Sequence, residues 1–316
     1  MSPAALQRLA GAREAFQTRV FSAGWRTVRA MPEPVARVGF AGIADLAWAR
    51  RGPSVRRLEG NLARVLGPSG AESALRALSR AGMRSYLRYW VEVFRLPDYS
   101  PARIQTDFRI VNEDQLWAHL DAGRGLVVAL PHMANWDLAG AWAAVRGAPV
   151  TTVAERLRPE ELYRRFLSFR VALGMEILPL TGSERDVFGV LAERLRAGRL
   201  VPLLADRDLR ASGVDVELLG ETTRMPPGPA LLALTTGAPL VPGTLWYDED
   251  AGGVSMRLHE QVEVPREGGT RVKVAAMTQA VADVFGAGIR AHPQDWHMLQ
   301  PLWLVDLPAR PIGLRR

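Results

Sequence analysis

The fold of this chain is decided by a stretch that reads Leu126-Val-Val-Ala-Leu-Pro-His132-Met-Ala-Asn-Trp-Asp137-Leu-Ala-Gly-Ala-Trp142. It opens with an apolar run bounded by Gly125 and Pro131, and a short run between such residues is typical of a buried strand. The residues from Asp137 onward predict a helix. His132 lies between the two elements, so the sequence predicts a strand–turn–helix unit with a histidine on the turn.

The spacing of the histidine and the aspartate limits how they can act together. Four residues separate His132 from Asp137, and helical neighbours are three or four positions apart, so the pair cannot meet on one continuous helix. With His132 on the turn, a carboxylate on one imidazole nitrogen would fix the tautomer and leave the other nitrogen free as a base. An aspartate in a first helical turn is also favoured by the helix dipole alone. Both interpretations remain open at this point.

Composition narrows the classes of protein that remain. The chain has 316 residues, enough for a large core in one or two domains, and 48% of them are hydrophobic, which is typical of a folded protein. It contains no cysteine, so disulfides and thiolate metal sites are excluded. The net charge of +7 favours anionic partners such as lipid headgroups, phosphorylated cofactors or nucleic acid. The sequence has no zinc-ligand spacing and no aromatic-rich RNA-binding motif, which makes nucleic acid the weaker choice.

The first part of the chain predicts helices. A basic amphipathic helix over residues 4–31, with Trp25 on its apolar side, suits a membrane interface or ordinary packing on the domain. Further helices are predicted at residues 35–50, 55–66 and 71–96. The last carries a methionine and aromatic stripe over residues 83–94, which is typical of a core and also suits the wall of a lipid groove. No apolar run approaches the roughly 18–20 residues of a spanning helix, and the N-terminal residues lack the apolar centre of a signal peptide.

Strands and helices alternate in the rest of the chain. Strands are predicted at residues 108–111, 126–130, 150–155, 175–180, 200–205, 214–219, 240–247 and 254–264. Helices are predicted at residues 114–121, 137–145, 159–173, 183–197, 229–236 and 270–290. This alternation predicts an α/β fold with a mostly parallel central sheet flanked by helices on both faces. We expect a single domain over residues 1–316, with a helical layer at 1–100 and an α/β core at 101–316.

Titratable side chains lie at or just past the ends of three predicted strands. They are His132, Glu155 and Asp206. Open α/β sheets bind their ligands beyond the carboxyl ends of the strands, so we expect these residues to line one site. Arg170, on the helix at 159–173, reaches the same crevice or lies on the solvated surface. Asp208 is a second carboxylate after the same strand as Asp206 and is more typical of a turn residue.

Further segments raise the specificity of the histidine motif, because they occur together in one order. They are Thr151-Thr-Val-Ala-Glu-Arg-Leu-Arg-Pro159, Leu162-Tyr-Arg-Arg-Phe166, Leu178-Pro-Leu-Thr-Gly182, Ala205-Asp-Arg-Asp-Leu209, Thr223-Arg-Met-Pro-Pro-Gly-Pro229, Asp295-Trp-His-Met-Leu-Gln-Pro301, Gly24-Trp-Arg-Thr-Val-Arg-Ala-Met-Pro-Glu33 and Asn61-Leu-Ala-Arg-Val65. With them the chain resembles the actinobacterial phosphatidylinositol mannoside acyltransferases, which are relatives of the lipid A lauroyl and myristoyl acyltransferases and share their His-x4-Asp (HX4D) motif. The resemblance covers nearly the whole chain.

The resemblance implies an enzyme bound peripherally to the cytoplasmic face of the cell membrane, with the helical layer facing the lipid. Such an enzyme moves a long acyl group, typically palmitoyl, from acyl-CoA to the 6-hydroxyl of the mannose on position 2 of the inositol. By motif, His132 and Asp137 would be the catalytic pair, and Glu155, Arg170 and Asp206 would line the substrate site. The family often has glutamate at the position of Asp206, so the hydrogen bond made by the shorter side chain is open.

The implied mechanism makes His132 the general base and Asp137 its orienting carboxylate. The oxyanion would be held by backbone N–H groups or by Arg170. No metal and no cofactor are expected, with acyl-CoA as co-substrate. The expected partners are acyl-CoA, a mannosylated phosphatidylinositol acceptor and an anionic membrane surface, without nucleic acid, and the protein is expected to act as a monomer. His297 would contact the headgroup or serve as a structural residue beside Trp296.

Two other functions remain compatible with the sequence. One is a lipid A-type or glycerolipid acyltransferase with a different acceptor. The other is a non-catalytic basic protein that binds membranes or nucleic acid, in which the histidine motif is incidental. The stripe over residues 83–94 adds the hypothesis that its helix forms a wall of the acyl groove.

Overall fold

The computed structural model describes residues 24–155, 160–179, 186–208, 213–250 and 252–307. Residues 24–30 are helical, and the earlier part of the predicted helix at 4–31 lies outside the described residues. The helices that follow are α1 (Glu33–Arg50), α2 (Pro53–Leu66), α3 (Glu72–Arg95), α4 (Pro101–Asp107), α5 (Glu113–Asp121), α6 (Trp136–Val145), α7 (Glu160–Ala172), α8 (Val187–Arg196), α9 (Gly228–Thr236) and α10 (Thr270–Ala291). The strands are β1 (Phe108–Val111), β2 (Leu126–Leu130), β3 (Thr151–Ala154), β4 (Glu176–Pro179), β5 (Leu200–Leu204), β6 (Val214–Leu218), β7 (Glu221–Met225), β8 (Leu240–Asp248) and β9 (Gly253–Leu258).

The central sheet has five strands in the order β1-β9-β8-β2-β5. Strand β2 runs parallel to β5 and β8, and β1 runs parallel to β9, whereas β8 and β9 are antiparallel. A parallel bridge between Val150 and Leu200 places the parallel β3–β4 pair beside β5. The predicted α/β fold, with a mostly parallel sheet flanked by helices, is confirmed.

Strand β2 is at the centre of the core. All five of its residues are buried, which explains why it reads as a continuous apolar run instead of an alternating one. Its neighbour β5 ends at Leu204, two residues before Asp206. Because β2 and β5 are parallel and in register from Leu126–Leu200 onward, the segments that follow the two strands emerge at the same edge of the sheet. This edge carries the candidate site.

The N-terminal helices pack on α3. Met83 contacts a cluster that contains Leu58 and Leu62 of α2, and Tyr89 belongs to a second cluster with Trp25. The stripe over residues 83–94 is therefore part of the core, which is the ordinary role of such a pattern. Helix α1 packs on the same helix but leaves part of its own apolar surface exposed.

Helix α10 is long and apolar enough to cross a membrane by length and composition alone, and it is the only such helix among the described residues. Half of its most apolar window is buried inside the protein. The buried face includes Met277 and Phe285, and the helix packs beside β6 and β8. Packing against the sheet accounts for its composition.

Two elements were not predicted from the sequence, and one was predicted too long. Helix α4 begins at Pro101 after Ser100, whose hydroxyl accepts from the N–H of Arg103. Strand β7 pairs antiparallel with β6. The turn between them places Leu219 at a φ of 55° and Gly220 at a φ of 88°, and only the glycine adopts that conformation without strain. The strand predicted at 254–264 ends at residue 258.

Candidate active site

His132 lies on the turn between β2 and α6, as its spacing from Asp137 predicted. The turn is tight because Ala134 has a left-handed conformation with a φ of 46°. Asn135 caps the helix, since its Oδ1 accepts from the N–H of Leu138 at 2.9 Å. The same turn therefore ends the strand, presents the imidazole and starts the helix within a few residues.

Asp206 binds the imidazole of His132. The Nδ1 atom of His132 lies 2.5 Å from Oδ1 of Asp206, and the backbone N–H of His132 donates to Oδ2 at 2.9 Å. The indole N–H of Trp296 donates to the same Oδ2 at 3.1 Å. Burial raises the pKa of the Asp206 carboxyl, but the charge of His132 and the hydrogen bonds from His132 and Trp296 outweigh it and hold that pKa below its ordinary value. Asp206 is therefore a buried anion that accepts a hydrogen bond from Nδ1–H of His132.

Asp137 belongs to a different network, and the structure does not bring it into hydrogen-bonding contact with His132. The hydroxyl of Tyr89 donates to Oδ2 of Asp137 at 2.9 Å. Arg170 donates to Oδ1 from Nε at 2.8 Å and from Nη2 at 2.5 Å. The first turn of α6 directs Asp137 toward α3 and α7, whereas β5 delivers Asp206 directly to the imidazole.

A cavity of about 280 Å³ brings together four of the five predicted site residues: His132, Asp137, Glu155 and Arg170. Most of its other lining side chains are apolar. They include Phe108, Val128, Leu130, Trp142, Met175 and Leu204. The cavity lies between α6 and the central strands, and the imidazole of His132 is part of its mostly apolar wall.

Asp206, the fifth predicted residue, has a different position from the one expected of a substrate-binding group. Its side chain has no exposed surface, because the imidazole of His132 and the indole of Trp296 cover it. Its place is behind the imidazole, where it is hydrogen-bonded to the ring and to the backbone N–H of His132. The alternative carboxylate, Asp208, accepts from the N–H of Gly213 at 2.6 Å and is a turn residue.

Glu155 and Arg170 differ in their surroundings. Glu155 is half exposed, with 52% of its side chain accessible, and its Oε2 lies 3.2 Å from Nη2 of Arg207. Arg170 is 19% exposed and is held by Asp137. Helix α7 therefore turns Arg170 into the crevice, which was one of the two positions the sequence allowed.

His297 is a structural residue. It is 8% exposed, and its Nε2 lies 2.9 Å from the hydroxyl of Ser85. Burial and then the charge of His132 lower the pKa of His297 to about 3. It stays neutral beneath the turn, and its burial favours the structural role over contact with the headgroup.

Helix α3 contributes to the site in an unexpected way. None of the described residues that line the cavity belongs to α3, so the structure does not place its stripe in the wall of this cavity. Instead, Tyr89 supplies the hydroxyl that binds Asp137. Sequence reasoning missed both residues, since Tyr89 was read as part of the apolar stripe and Trp296 only as the neighbour of His297. The available signal was that a buried tyrosine or tryptophan usually has a polar partner for its O–H or N–H.

A histidine that is hydrogen-bonded to a buried carboxylate beside an apolar cavity is an arrangement that an acyl transfer enzyme can use. Residues 12–305 match the family of bacterial lipid A biosynthesis acyltransferases, and the chain belongs to that family. It is 50% identical over 287 residues to a phosphatidylinositol mannoside acyltransferase of Mycolicibacterium smegmatis, which covers 91% of each chain. It is 48% identical over 291 residues to a protein of the same description from Mycobacterium tuberculosis strain H37Rv, covering 91% of this chain and 88% of that one. The resemblance found in the sequence is thus confirmed, and the chain is an acyltransferase.

Proposed function

We propose that this protein transfers a palmitoyl group from acyl-CoA to the 6-hydroxyl of the mannose on position 2 of the inositol in phosphatidylinositol mannosides. The acceptor is supported by two relatives that carry this activity in their names and share about half of their residues with the chain. The chemistry rests on one observation, the contact between Nδ1 of His132 and Asp206 beside an apolar cavity.

The geometry at His132 supports the imidazole as the base in this proposal. Because the Asp206 carboxylate accepts from Nδ1–H, the lone pair lies on Nε2. Nε2 takes the proton of the sugar hydroxyl as its oxygen forms a bond to the thioester carbonyl carbon. The C–S bond then breaks, and the departing thiolate takes the proton back from the imidazolium. General base catalysis of this kind contributes about 10²–10⁴ to a rate.

Asp137 acts on the site through Arg170. Both oxygens of Asp137 are occupied by Tyr89 and Arg170, and a carboxylate held in this way fixes the guanidinium in the cavity wall. Asp137 is thus a positioning residue in this account. Its side chain and Arg170 form the polar part of a wall that is otherwise apolar.

The cavity is the binding site for the acyl chain in this proposal. Burial of methylene groups contributes about 0.8 kcal/mol each, so a buried palmitoyl chain could gain roughly 10 kcal/mol before the cost of ordering it is subtracted. Ala139 and Ala143 of α6 both line the cavity. They are four residues apart, so they lie one helical turn from each other along its length.

Filling the cavity at Ala143 should shorten the preferred acyl chain. We expect Ala143→Phe to lower transfer from palmitoyl-CoA at least tenfold and to retain transfer from shorter donors, because the added ring occupies volume that the end of a long chain needs. The measurement is the rate with acyl-CoA donors of 8 to 18 carbons. Met83→Ala is the control: it removes core packing outside the cavity, so it should lower the melting temperature without changing chain preference. A shift caused by Met83→Ala and not by Ala143→Phe would move the acyl site to α3.

The acceptor is tested by mass spectrometry of the product. Purified protein is given palmitoyl-CoA and, separately, phosphatidylinositol, its mono- and dimannosides, a lipid A precursor and glycerol 3-phosphate. We expect acylation of the mannosides, with the added acyl group on the mannose fragment. Acylation of the lipid A precursor or glycerol 3-phosphate instead would replace the acceptor, and salt-sensitive DNA binding with no acyl-CoA turnover would favour the non-catalytic alternative.

We also propose that the protein is peripheral to the cytoplasmic face of the cell membrane and that α1 enters the interface. Val35, Val38, Ile43 and Leu46 of this helix are each at least half exposed. An apolar helical face on a basic protein suits an anionic lipid surface.

Charging that face should weaken membrane binding. We expect the double substitution Val38→Asp and Ile43→Asp to release most of the protein from anionic vesicles, because two carboxylates would enter the headgroup region. Cosedimentation at low and high salt measures the effect. Val272→Asp on α10 is the matched control, since Val272 is 60% exposed on another helix. Equal loss of binding in both variants would mean that α1 is not the binding element.

A further inference from the structure

The indole of Trp296 completes the set of hydrogen bonds around Asp206. Its ring is fully buried, and its Nε1 donates to Oδ2 at 3.1 Å. We infer that Trp296 is a positioning residue for acyl transfer, whose N–H fixes the Asp206 carboxylate and thereby directs the imidazole of His132. This inference rests on the proposed function, because it assigns a role within the same site.

The two oxygens of Asp206 have separate partners. Oδ1 faces Nδ1 of His132, and Oδ2 accepts from the backbone N–H of His132 and from the indole. Two donors on Oδ2 determine the plane of the carboxylate, and that plane directs Oδ1 to the imidazole. Without the indole, the Asp206 carboxylate would be held, among the described residues, only by groups of His132. The carboxylate would then move together with the imidazole instead of fixing its orientation.

The indole is itself held in the frame of the histidine turn. Trp296 forms an antiparallel bridge with Met133, and the next backbone N–H, that of His297, donates to the carbonyl of His132 at 2.8 Å. On the other side, the carbonyl of Asp295 accepts from the N–H of Ala134 at 2.9 Å. The segment 295–297 is therefore fastened to the turn on both sides of the tryptophan.

The same segment is anchored in the core through Asp295. Its Oδ1 accepts from the hydroxyl of Ser85 at 2.7 Å, and its Oδ2 accepts from the N–H of Tyr247 at 3.0 Å. These bonds join the segment to α3 and β8. A rigid support of this kind is what a group must have if it is to position a catalytic residue.

Loss of the indole N–H should have two effects that packing alone would not produce. Hydrogen bonds to the charged form stabilise a carboxylate, so loss of the indole leaves the Asp206 charge to interact more strongly with the partners that remain, Nδ1 and the backbone N–H of His132. The imidazole then holds a proton more firmly, and the acidic limb of the pH–rate profile moves to higher pH. The looser carboxylate also orients the base less well, which lowers kcat.

A second tryptophan supplies a matched control. Trp303 is also fully buried, and its ring centre lies 6.5 Å from that of Trp296. Its Nε1 has no hydrogen-bond partner among the described residues. Trp303→Phe therefore removes the same group from the same part of the core without touching Asp206. Both variants leave unchanged the charged groups that share the cavity with His132, which are Asp137, Glu155, Arg170 and Arg207. They also leave unchanged Asp295 and His297, the two neighbours of Trp296 in the sequence.

The test compares Trp296→Phe with Trp303→Phe in kcat, KM and the pH profile of kcat/KM. We expect Trp296→Phe to lower kcat about tenfold, as the loss of a hydrogen bond to a charged group would, with KM for palmitoyl-CoA unchanged and the acidic limb shifted upward. Trp303→Phe should leave the limb in place. In an Asp206→Asn background, Trp296→Phe should cost little more, because the group it acts on has already been altered.

A second variant covers the case in which Trp296→Phe does not fold. Replacement of Trp296 by 3-benzothienylalanine keeps the shape of the bicyclic ring and exchanges N–H for sulfur, so it should reproduce the loss of kcat and the shift of the limb. Equal effects of the two phenylalanine variants, or an unchanged pH profile with the sulfur analogue, would overturn the inference. Normal transfer by folded His132→Ala would instead overturn the proposed function, which separates the two failures.

Discussion

Replacement of His132 by alanine is expected to lower acyl transfer by about 10²–10⁴-fold, the usual contribution of a general base. The protein should remain folded, because the side chain lies on a turn and is 22% exposed. Binding of acyl-CoA should be largely kept, since most of the cavity wall is apolar and distant in sequence from the turn. The measurement is the single-turnover rate of purified protein whose folding is checked by circular dichroism.

His259→Ala is the matched control for this change. His259 is another partly buried histidine, and its Nε2 lies 2.8 Å from the hydroxyl of Thr244, outside the cavity lining. Its loss should leave the transfer rate within a few-fold of wild type. A folded His132→Ala protein with near-normal transfer would exclude His132 as the base.

Substitution of Asp206 by asparagine is expected to have the second large effect. The amide keeps the size of the side chain but has one oxygen, whereas both oxygens of Asp206 now accept from donors. If the amide nitrogen faces Nδ1, it favours the tautomer whose Nε2 carries the proton and cannot act as a base. In serine proteases the equivalent change lowers kcat about 10⁴-fold, and we expect a loss of 10²-fold or more here.

Substitutions of two other carboxylates test whether Asp206→Asn acts by misorienting the imidazole or merely by removing a negative charge. Asp208→Asn changes a turn residue two positions away and should leave transfer nearly intact. Asp137→Asn disturbs the bonds to Tyr89 and Arg170, so it should lower transfer less than Asp206→Asn. Transfer lost equally in Asp208→Asn and Asp206→Asn would contradict a specific role for Asp206.

Much of the scaffold could be predicted from local sequence. The apolar run of β2, bounded by glycine and proline, and the helix after it are short-range features, and the spacing of His132 from Asp137 placed the histidine on the turn. The alternation of strands and helices gave the sheet class. The rule that ligands bind at the carboxyl ends of strands then grouped His132, Glu155 and Asp206, and the structure brings Glu155 and His132 to one cavity with Asp206 behind them.

The partner of His132 could not be predicted in the same way. A motif of two nearby residues suggests that they touch, but contact at His132 depends on which strand lies beside β2. That strand is β5, which follows β2 by about seventy residues and delivers Asp206. Sheet order is set by long-range packing, and no periodicity within a segment reports it.

The remaining errors have local physical causes. Strand β7 reads Glu-Thr-Thr-Arg-Met and carries too few apolar residues for a strand pattern, yet it pairs with β6 through a tight turn. Tyr89 was read as part of an apolar stripe and Trp296 only as the neighbour of His297, because the polar atom of each ring matters only once its partner is known. Side chains with an apolar body and one polar atom are thus where sequence patterns say least about a site.

The central claim is that His132 and Asp206 work as one unit, and a double-mutant cycle tests it most directly. Single-turnover transfer rates are measured for the wild type, His132→Ala, Asp206→Asn and the double variant. Residues that act as a unit are strongly non-additive, so we expect the double variant to be no more than a few-fold slower than His132→Ala. The account would be contradicted if the rate loss of the double variant equalled the product of the two single losses. It would also be contradicted if a cycle of His132→Ala with Asp137→Asn were non-additive and the cycle with Asp206→Asn were not.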